Sequence, residues 1–170
     1  MIRLVLGGAG SGKSAYALEL FLEGPGPNLF VATGKPGDLD FRAQILDHRM
    51  ARPPETPVLE VDLDLAGPLS RTRAASVLVD SLDFWLFNRM GRDSGADPRE
   101  LAKELARGLA GFAGRELVIV SSEISLGPIA IDPRVRRFVR ALGGLHQETA
   151  RICDEVVLVA AGCPLYLKRG

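Results

Sequence analysis

Lys13 and Ser14 close the stretch Gly7-Gly8-Ala9-Gly10-Ser11-Gly12-Lys13-Ser14, which fits G-x-x-x-x-G-K-[ST]. The chemistry of that spacing is phosphate binding. Closely spaced glycines let a backbone wrap and aim several N–H groups at one anion. Lys13 adds a point charge for β- and γ-phosphates, and Ser14 can offer its hydroxyl to Mg²⁺. A chance glycine-rich turn would not need an apolar strand before it and a helix after it, and this loop has both. A dinucleotide G-x-G-x-x-G frame beginning at Gly8 fails, because Lys13 stands where its third glycine should be.

The elements that must hold this loop are legible around it. Ile2 to Leu6 reads as a buried strand, and Lys13 to about Leu22 as the helix whose positive end meets the phosphates. Gly24-Pro25-Gly26-Pro27 ends that helix. Strands follow at Leu29–Ala32, Val58–Val61, Ser76–Asp80, Leu117–Ser121, Val156–Val159 and Leu165–Leu167, with Ala160 to Pro164 joining the last two. Helices are expected at Leu39–Met50, Leu82–Met90 and Pro98–Ala113, the last closed by Gly114. A further helix opens at Asp132-Pro133, Gly143-Gly144 breaks it, and a short helix runs from His146 to Cys153. Gly91 to Pro98 reads as a loop. The alternation predicts an α/β fold of the P-loop NTPase type: one domain over residues 1–170, a mostly parallel sheet, and helices on both faces. Gly7, Thr33, Asp80 and Glu123 then fall at strand C-termini, where such sheets bind ligands.

Composition narrows the class. Lys plus Arg and Asp plus Glu number 21 each, so net charge is zero, which argues against nucleic acid as the main partner. No apolar run is long enough to span a bilayer, and the chain starts on a strand rather than a signal peptide. Cys153 and Cys163 are too few for a disulfide framework or a zinc site. A reducing cytoplasm is the expected compartment.

Two further chemistries are suggested. Asp80 ends an apolar strand downstream of the phosphate loop, the Walker B form, in which the carboxylate helps hold Mg²⁺. His48 sits among Arg42, Arg49 and Arg52 and is one of two histidines in the chain. On residue type alone, His48 is also a good surface residue at a helix C-terminus. Phe84, Trp85, Leu86 and Phe87 read as core rather than as a ligand platform, and the arginines at 134, 136, 137 and 140 as a solvated face.

In order, these motifs resemble the bifunctional adenosylcobinamide kinase / adenosylcobinamide-phosphate guanylyltransferase family over nearly the whole chain. The resemblance rests on the phosphate loop, Ala32-Thr33, Ile45 to Pro53 with His48-Arg49 and Arg52-Pro53, and Glu60. It continues through Asp80-Ser81-Leu82-Asp83-Phe84-Trp85-Leu86-Phe87-Asn88, Ser122-Glu123 and Arg136 to Gln147. The family pattern has Asn-Glu-Val-Gly where this chain has Ser122-Glu123-Ile124-Ser125, and Asn-Gln where it has His146-Gln147.

The resemblance implies two reactions, with ATP and GTP as nucleotide substrates and Mg²⁺ as the metal. A hydroxyl of adenosylcobinamide is phosphorylated; GMP is then transferred from GTP through an enzyme histidine, here His48, to the cobinamide phosphate. Lys13 would serve both steps. The implied nucleotide contacts are Gly7 through Ser14, Ala32, Thr33, Gly34, Arg49, Met50, Ala51, Arg52, Glu60 and Asp80. The implied metal ligands are Ser14, Asp80 and Glu123, with activation of the substrate hydroxyl an open alternative for Glu123. A homo-oligomer, a trimer, is implied as well. Without the resemblance, the same residues would suit another P-loop small-molecule kinase, with His48 a bystander, or a non-catalytic nucleotide-binding regulator.

Overall fold

The apolar run at the start of the chain forms β1 (Ile2–Gly7), which turns through the glycine-rich loop into α1 (Lys13–Glu23). The structure is a computed structural model that describes residues 1–33, 55–92 and 97–170. The helix expected over Leu39–Met50 lies outside the described residues. After β2 (Asn28–Ala32) and β3 (Val58–Glu60) comes α2 (Ala66–Arg71), a short helix for which the sequence reading had no counterpart. Then follow β4 (Ser76–Asp80), α3 (Leu82–Arg92), α4 (Pro98–Ala110), β5 (Glu116–Ser122), α5 (Pro133–Ile152), β6 (Glu155–Ala160) and β7 (Cys163–Lys168). Among the described residues, no helix is long and apolar enough to cross a membrane.

The strands form one seven-stranded sheet in the order β3-β2-β4-β5-β1-β6-β7. All pairings are parallel except β6 with β7. Successive strand residues face opposite sides of a sheet, and the core divides accordingly. Val5, Phe30, Leu78, Val118 and Val120 pack with Ala17 and Phe21 of α1. Leu4, Val31, Val77, Val79, Leu117 and Ile119 pack with α2 to α5 on the other face. At the N-terminal end, Arg3 on the interior strand β1 bridges both neighbours. Its Nη1 donates to Glu116 at 2.6 Å and its Nε to Glu155 at 2.7 Å.

Several expected boundaries are corrected. Gly91 and Arg92 belong to α3 rather than to a loop. The helix from Pro98 stops at Ala110 with Gly111 as its C-cap, so Phe112 and Gly114 lie beyond it. Phe112 packs against the core from outside the helix, which is why its spacing looked helical. The break expected at Gly143-Gly144 does not occur: α5 runs unbroken from Pro133 to Ile152. Each interior glycine costs about 1 kcal/mol relative to Ala. The stripe Leu142, Leu145, His146 and Thr149, buried at helical spacing, outweighs that cost. The N-cap at Asp132 holds as read, accepting from the Arg134 amide at 2.7 Å; Asp97, before the Pro98 that opens α4, accepts from the Arg99 amide at 2.9 Å in the same way. The joint expected from Ala160 to Pro164 is only a two-residue turn. Ala161 (φ 51) and Gly162 (φ 77) both adopt the left-handed conformation, which matches the twist of the flanking strands.

Trp85 settles as core. It is fully buried, and its Nε1 donates to Leu63 O at 2.8 Å. Arg89 Nη1 reaches the same carbonyl at 2.9 Å. Trp85→Ala is expected to lower the unfolding free energy by about 3–5 kcal/mol. Chemical denaturation would show it as a shifted midpoint at unchanged slope.

Candidate functional site

The phosphate loop is built by short-range constraints that only these residue types satisfy. Gly10 (φ 69) and Gly12 (φ 90) hold the left-handed region that side chains disfavour. Gly7 is required for space, since a Cβ there would stand 2.4 Å from Ser11 Oγ and 2.7 Å from Val159 O. At Gly8 and Gly10 a Cβ would meet nothing within 4 Å, so the cradle is open on that side. Lys13 is buried and folds back over the loop, its Nζ donating to Gly8 O at 3.3 Å. The Lys13 amide donates to Ser11 Oγ, also at 3.3 Å. Gly7→Ala is expected to distort this cradle. An overpacking cost of about 1–3 kcal/mol, if borne by the binding-competent loop, corresponds to roughly a 5- to 150-fold loss of nucleotide affinity. Gly8→Ala should leave the thermal stability of the ligand-free protein unchanged. Titration calorimetry with thermal melts of both variants would check the pair.

One wall of the loop lay outside the sequence reading. The β6–β7 turn folds onto it: the Gly162 amide donates to Ser11 O at 2.8 Å. Gly162 Cα lies 3.3 Å from where a Gly12 Cβ would be. The turn was expected, but its long-range docking had no local signal.

The four strand-end candidates do share the C-terminal edge of the sheet, at unequal distances from the phosphate loop. β5 intervenes between β1 and β4. Glu123, just past β5, is therefore the immediate neighbour: its amide donates to Gly7 O at 3.0 Å. Asp80 ends β4, two strands away, so about 10 Å at ordinary strand spacing. Thr33 follows β2, three strands away, and Glu60 ends the outermost strand β3, about 19 Å away.

Thr33 is buried, and its hydroxyl is fully engaged. Oγ1 donates to Ser81 O at 2.6 Å and accepts from the Ser81 amide at 2.9 Å. Asn88 Nδ2 donates to Thr33 O at 3.0 Å. Thus Thr33, Ser81 and Asn88 latch the end of β2 to the start of α3, and the Asp80–Asn88 motif owes part of its pattern to this latch and to Trp85. Ala32 is buried beside it. Gly34, His48, Arg49, Met50, Ala51 and Arg52 lie outside the described residues.

Around Glu123 the structure assembles a polar cluster. Oε1 accepts from the Ser125 amide at 2.7 Å and also from Ser125 Oγ. Oε2 lies 3.6 Å from Nδ1 of His146, whose Nε2 is 2.8 Å from Ser121 Oγ. Asp83 Oδ1 accepts from the Ser122 amide at 3.3 Å. Burial alone would raise the Glu123 pKa. The Ser125 hydrogen bonds and the nearby His146 outweigh it and hold the carboxyl below its usual range. Burial pushes the His146 imidazole below the ordinary histidine value, with the Glu123 and Asp83 carboxylates opposing. His146 was read as opening a separate short helix. Its i, i+4 relation to Leu142, and Thr149 three residues on, were the signal that it lies on the buried stripe of a longer one.

As donors, Ser14, Asp80 and Glu123 are hard oxygen ligands of the kind Mg²⁺ takes. Among the described residues, no group of three or more His, Cys, Asp or Glu is placed to hold a metal by itself. An ion shared with nucleotide phosphates suits such a sparse donor set. Elsewhere, a groove of about 840 Å³ between α4 and α5 carries Arg99, Lys103, Arg137 and Arg140. Arg136 is tied instead to Ala130 O at 3.0 Å and to Ile131 O at 2.5 Å. Cys153 is buried, which raises its thiol pKa to about 12.

Comparison with known proteins finds relatives over nearly the whole chain. The model of a family described as cobinamide kinase / cobinamide phosphate guanyltransferase matches residues 3–167. A bifunctional adenosylcobalamin biosynthesis protein, CobP of Pseudomonas aeruginosa, is 38% identical over 97% of this chain and 96% of its own. The Escherichia coli bifunctional adenosylcobalamin biosynthesis protein CobU is 26% identical over 99% of this chain and all of its own. Among solved structures, the assembled ATPase EscN of an enteropathogenic E. coli type III secretion system superposes with a TM-score of 0.51. It is 14% identical, and the match covers 94% of this chain and 43% of EscN, a likeness of fold alone.

Proposed function

This chain belongs to the cobinamide kinase / cobinamide phosphate guanyltransferase family and is an enzyme of both activities; from that premise we propose that one phosphate loop serves two attacks on a bound nucleoside triphosphate. The observation that carries the reading is the placement of Glu123 directly beside the loop, between it and Asp80.

In the first attack, with ATP or GTP bound, the substrate hydroxyl oxygen bonds to the γ-phosphorus. The bond to the β–γ bridging oxygen breaks, and the nucleoside diphosphate leaves. Glu123 takes the hydroxyl proton, the role we assign it over metal binding, because its carboxylate is fixed by Ser125 next to the loop. In the second attack, a ring nitrogen of His48 bonds to the α-phosphorus of GTP and pyrophosphate leaves. A phosphate oxygen of adenosylcobinamide phosphate then displaces the imidazole, giving adenosylcobinamide-GDP. Neutral imidazole is a competent nucleophile near pH 7.

Lys13 holds the phosphates in both steps, and Arg49 and Arg52 would neutralise charge on the transferred group. Ser14 and Asp80 are the residues we assign to Mg²⁺, which when bound offsets phosphate charge. Of the remaining nucleotide candidates, Glu60 is the one we assign to the nucleoside end, given its distance from the loop. The apolar loop after Glu123, with Leu126, Ile129 and Ile131 exposed, is the surface we assign to the corrinoid. A homotrimer is part of the same reading, and the exposed Leu165 and Leu167 of the outermost strand β7 offer apolar surface for it.

The test is incubation with α-labelled GTP and Mg²⁺, followed by isolation of the protein. The expected product is a protein–GMP adduct that is acid-labile and alkali-stable. A chain that phosphorylates cobinamide but forms no adduct would overturn the histidine route.

A further inference from the structure

Where the family pattern has Asn, this chain has His146, and the surrounding atoms give that imidazole a task. Leu117, Ile119 and Ser121 alternate onto one face of β5 and Glu123 follows in the same register, on the side of the sheet where α3 and α5 lie. That places Ser121 and Glu123 under the same stretch of helix, and His146 descends between them. It is buried, only 6% exposed. Nε2 is 2.8 Å from Ser121 Oγ, while Nδ1 is buried with no hydrogen-bond partner among the described residues, 3.6 Å from Glu123 Oε2. A buried ring nitrogen without a partner is uncommon and disfavoured. This one stands one small side-chain rotation from a carboxylate beside the phosphate loop.

We propose that His146 is a positioning residue that fixes the Glu123 carboxylate beside the phosphate loop for the phosphorylation step. The proposal rests on the assignment of Glu123 to the substrate hydroxyl.

One tautomer serves every atom. With the proton on Nδ1, His146 donates towards Glu123 Oε2, and Nε2 accepts from the Ser121 hydroxyl. Ser125 already donates to Oε1. The carboxylate is then gripped through both oxygens by partners from different elements: Ser125 on its own loop and His146 on α5. Closing the 3.6 Å gap when substrate arrives would convert a near contact into a hydrogen bond. That is the tightening expected of a site whose catalytic geometry completes on binding. A packing histidine would need none of this, because Leu142 and Leu145 already carry the apolar stripe.

The first measurement is independent of activity. In long-range ¹H–¹⁵N spectra at neutral pH, His146 should appear as the Nδ1–H tautomer, and its nitrogen shifts should move in Glu123→Gln. The Nε2–H tautomer, or shifts indifferent to Glu123→Gln, would overturn the proposal. The second is kinetic. His146→Leu should lower kcat for cobinamide phosphorylation about ten- to a hundredfold, the scale of a displaced catalytic group, with nucleotide KM unchanged. His146→Asn should restore most of kcat, since an amide N–H can replace the donor. In the double variant with Glu123→Gln, the two losses should fail to multiply. A full kcat in folded His146→Leu, or losses that multiply, would overturn it. If His146→Leu does not fold, His146→Phe, which also lacks the donor, carries the same cycle. If Glu123→Gln leaves kcat intact while the Nδ1–H tautomer is found, the assignment of Glu123 to the hydroxyl fails and the His146–Glu123 contact stands as structural.

Discussion

Lys13→Ala is expected to cost the enzyme both of its reactions at once. Lys13 leads α1, where the loop amides and the helix dipole already favour an anion. Its ammonium is the only full positive charge that the motif supplies at the β- and γ-phosphates. The neighbouring carboxylates Glu123 and Asp80 would repel them. Removing one preorganised charge-stabilising donor typically lowers kcat by about 10²–10³-fold, or roughly 3–4 kcal/mol. The kinase step should suffer at least that much, and nucleotide affinity should fall alongside. Formation of the protein–GMP adduct should drop by a comparable factor, because pyrophosphate must leave from the same cradle. Thermal stability is expected to stay close to that of the parent protein. Among the described residues, the only hydrogen bond Lys13 Nζ makes is the long one to Gly8 O. Steady-state phosphorylation assays and adduct formation measured on one preparation would check this. Loss of one activity with the other intact would mean that the two reactions use different phosphate sites.

His48→Ala should separate the reactions that Lys13→Ala removes together. Adduct formation should fall below about 1% of the parent level, because alanine supplies no nucleophile and water does not replace one that must be covalently retained. Phosphorylation of cobinamide should persist within about threefold, since the γ-phosphoryl transfer has no step through the imidazole. His146→Ala should retain adduct formation, because the His146 ring is buried against Ser121 and Glu123 rather than presented to a nucleotide. The contrast matters because the chain has two histidines. Intact adduct in His48→Ala, or loss only in His146→Ala, would move the covalent step to the other ring.

How much was legible beforehand follows from how local each feature is. The phosphate loop could be read in full because eight contiguous residues carry the turn geometry, the anion site and the helix start together. The N-cap Asp132 could be read for the same reason: cap and capped amide are two residues apart. The Asp80–Asn88 motif could be seen as a pattern but not explained. Half of what it serves, Thr33 and the end of β2, lies about fifty residues upstream. The continuity of α5 was misread because glycine weakens a helix locally, while the compensation comes from buried contacts with the sheet.

Sequence alone determined that Gly7–Ser14 carries a phosphate-loop motif, that parallel strands alternate with helices, and that a family with two activities is the right comparison. Tertiary structure decided which of the candidate carboxylates stands next to that loop. By motif, Asp80 was the natural neighbour. The insertion of β5 between β1 and β4 gives the place to Glu123 and sets Asp80 one strand further out. Strand order is a choice among long-range packings, made by how Leu117 and Ile119 on one face and Val118 and Val120 on the other fill the two halves of the core. No window of the chain holds that information, and neither does any window hold the approach of His146 to Glu123, or of the Gly162 turn to the phosphate loop.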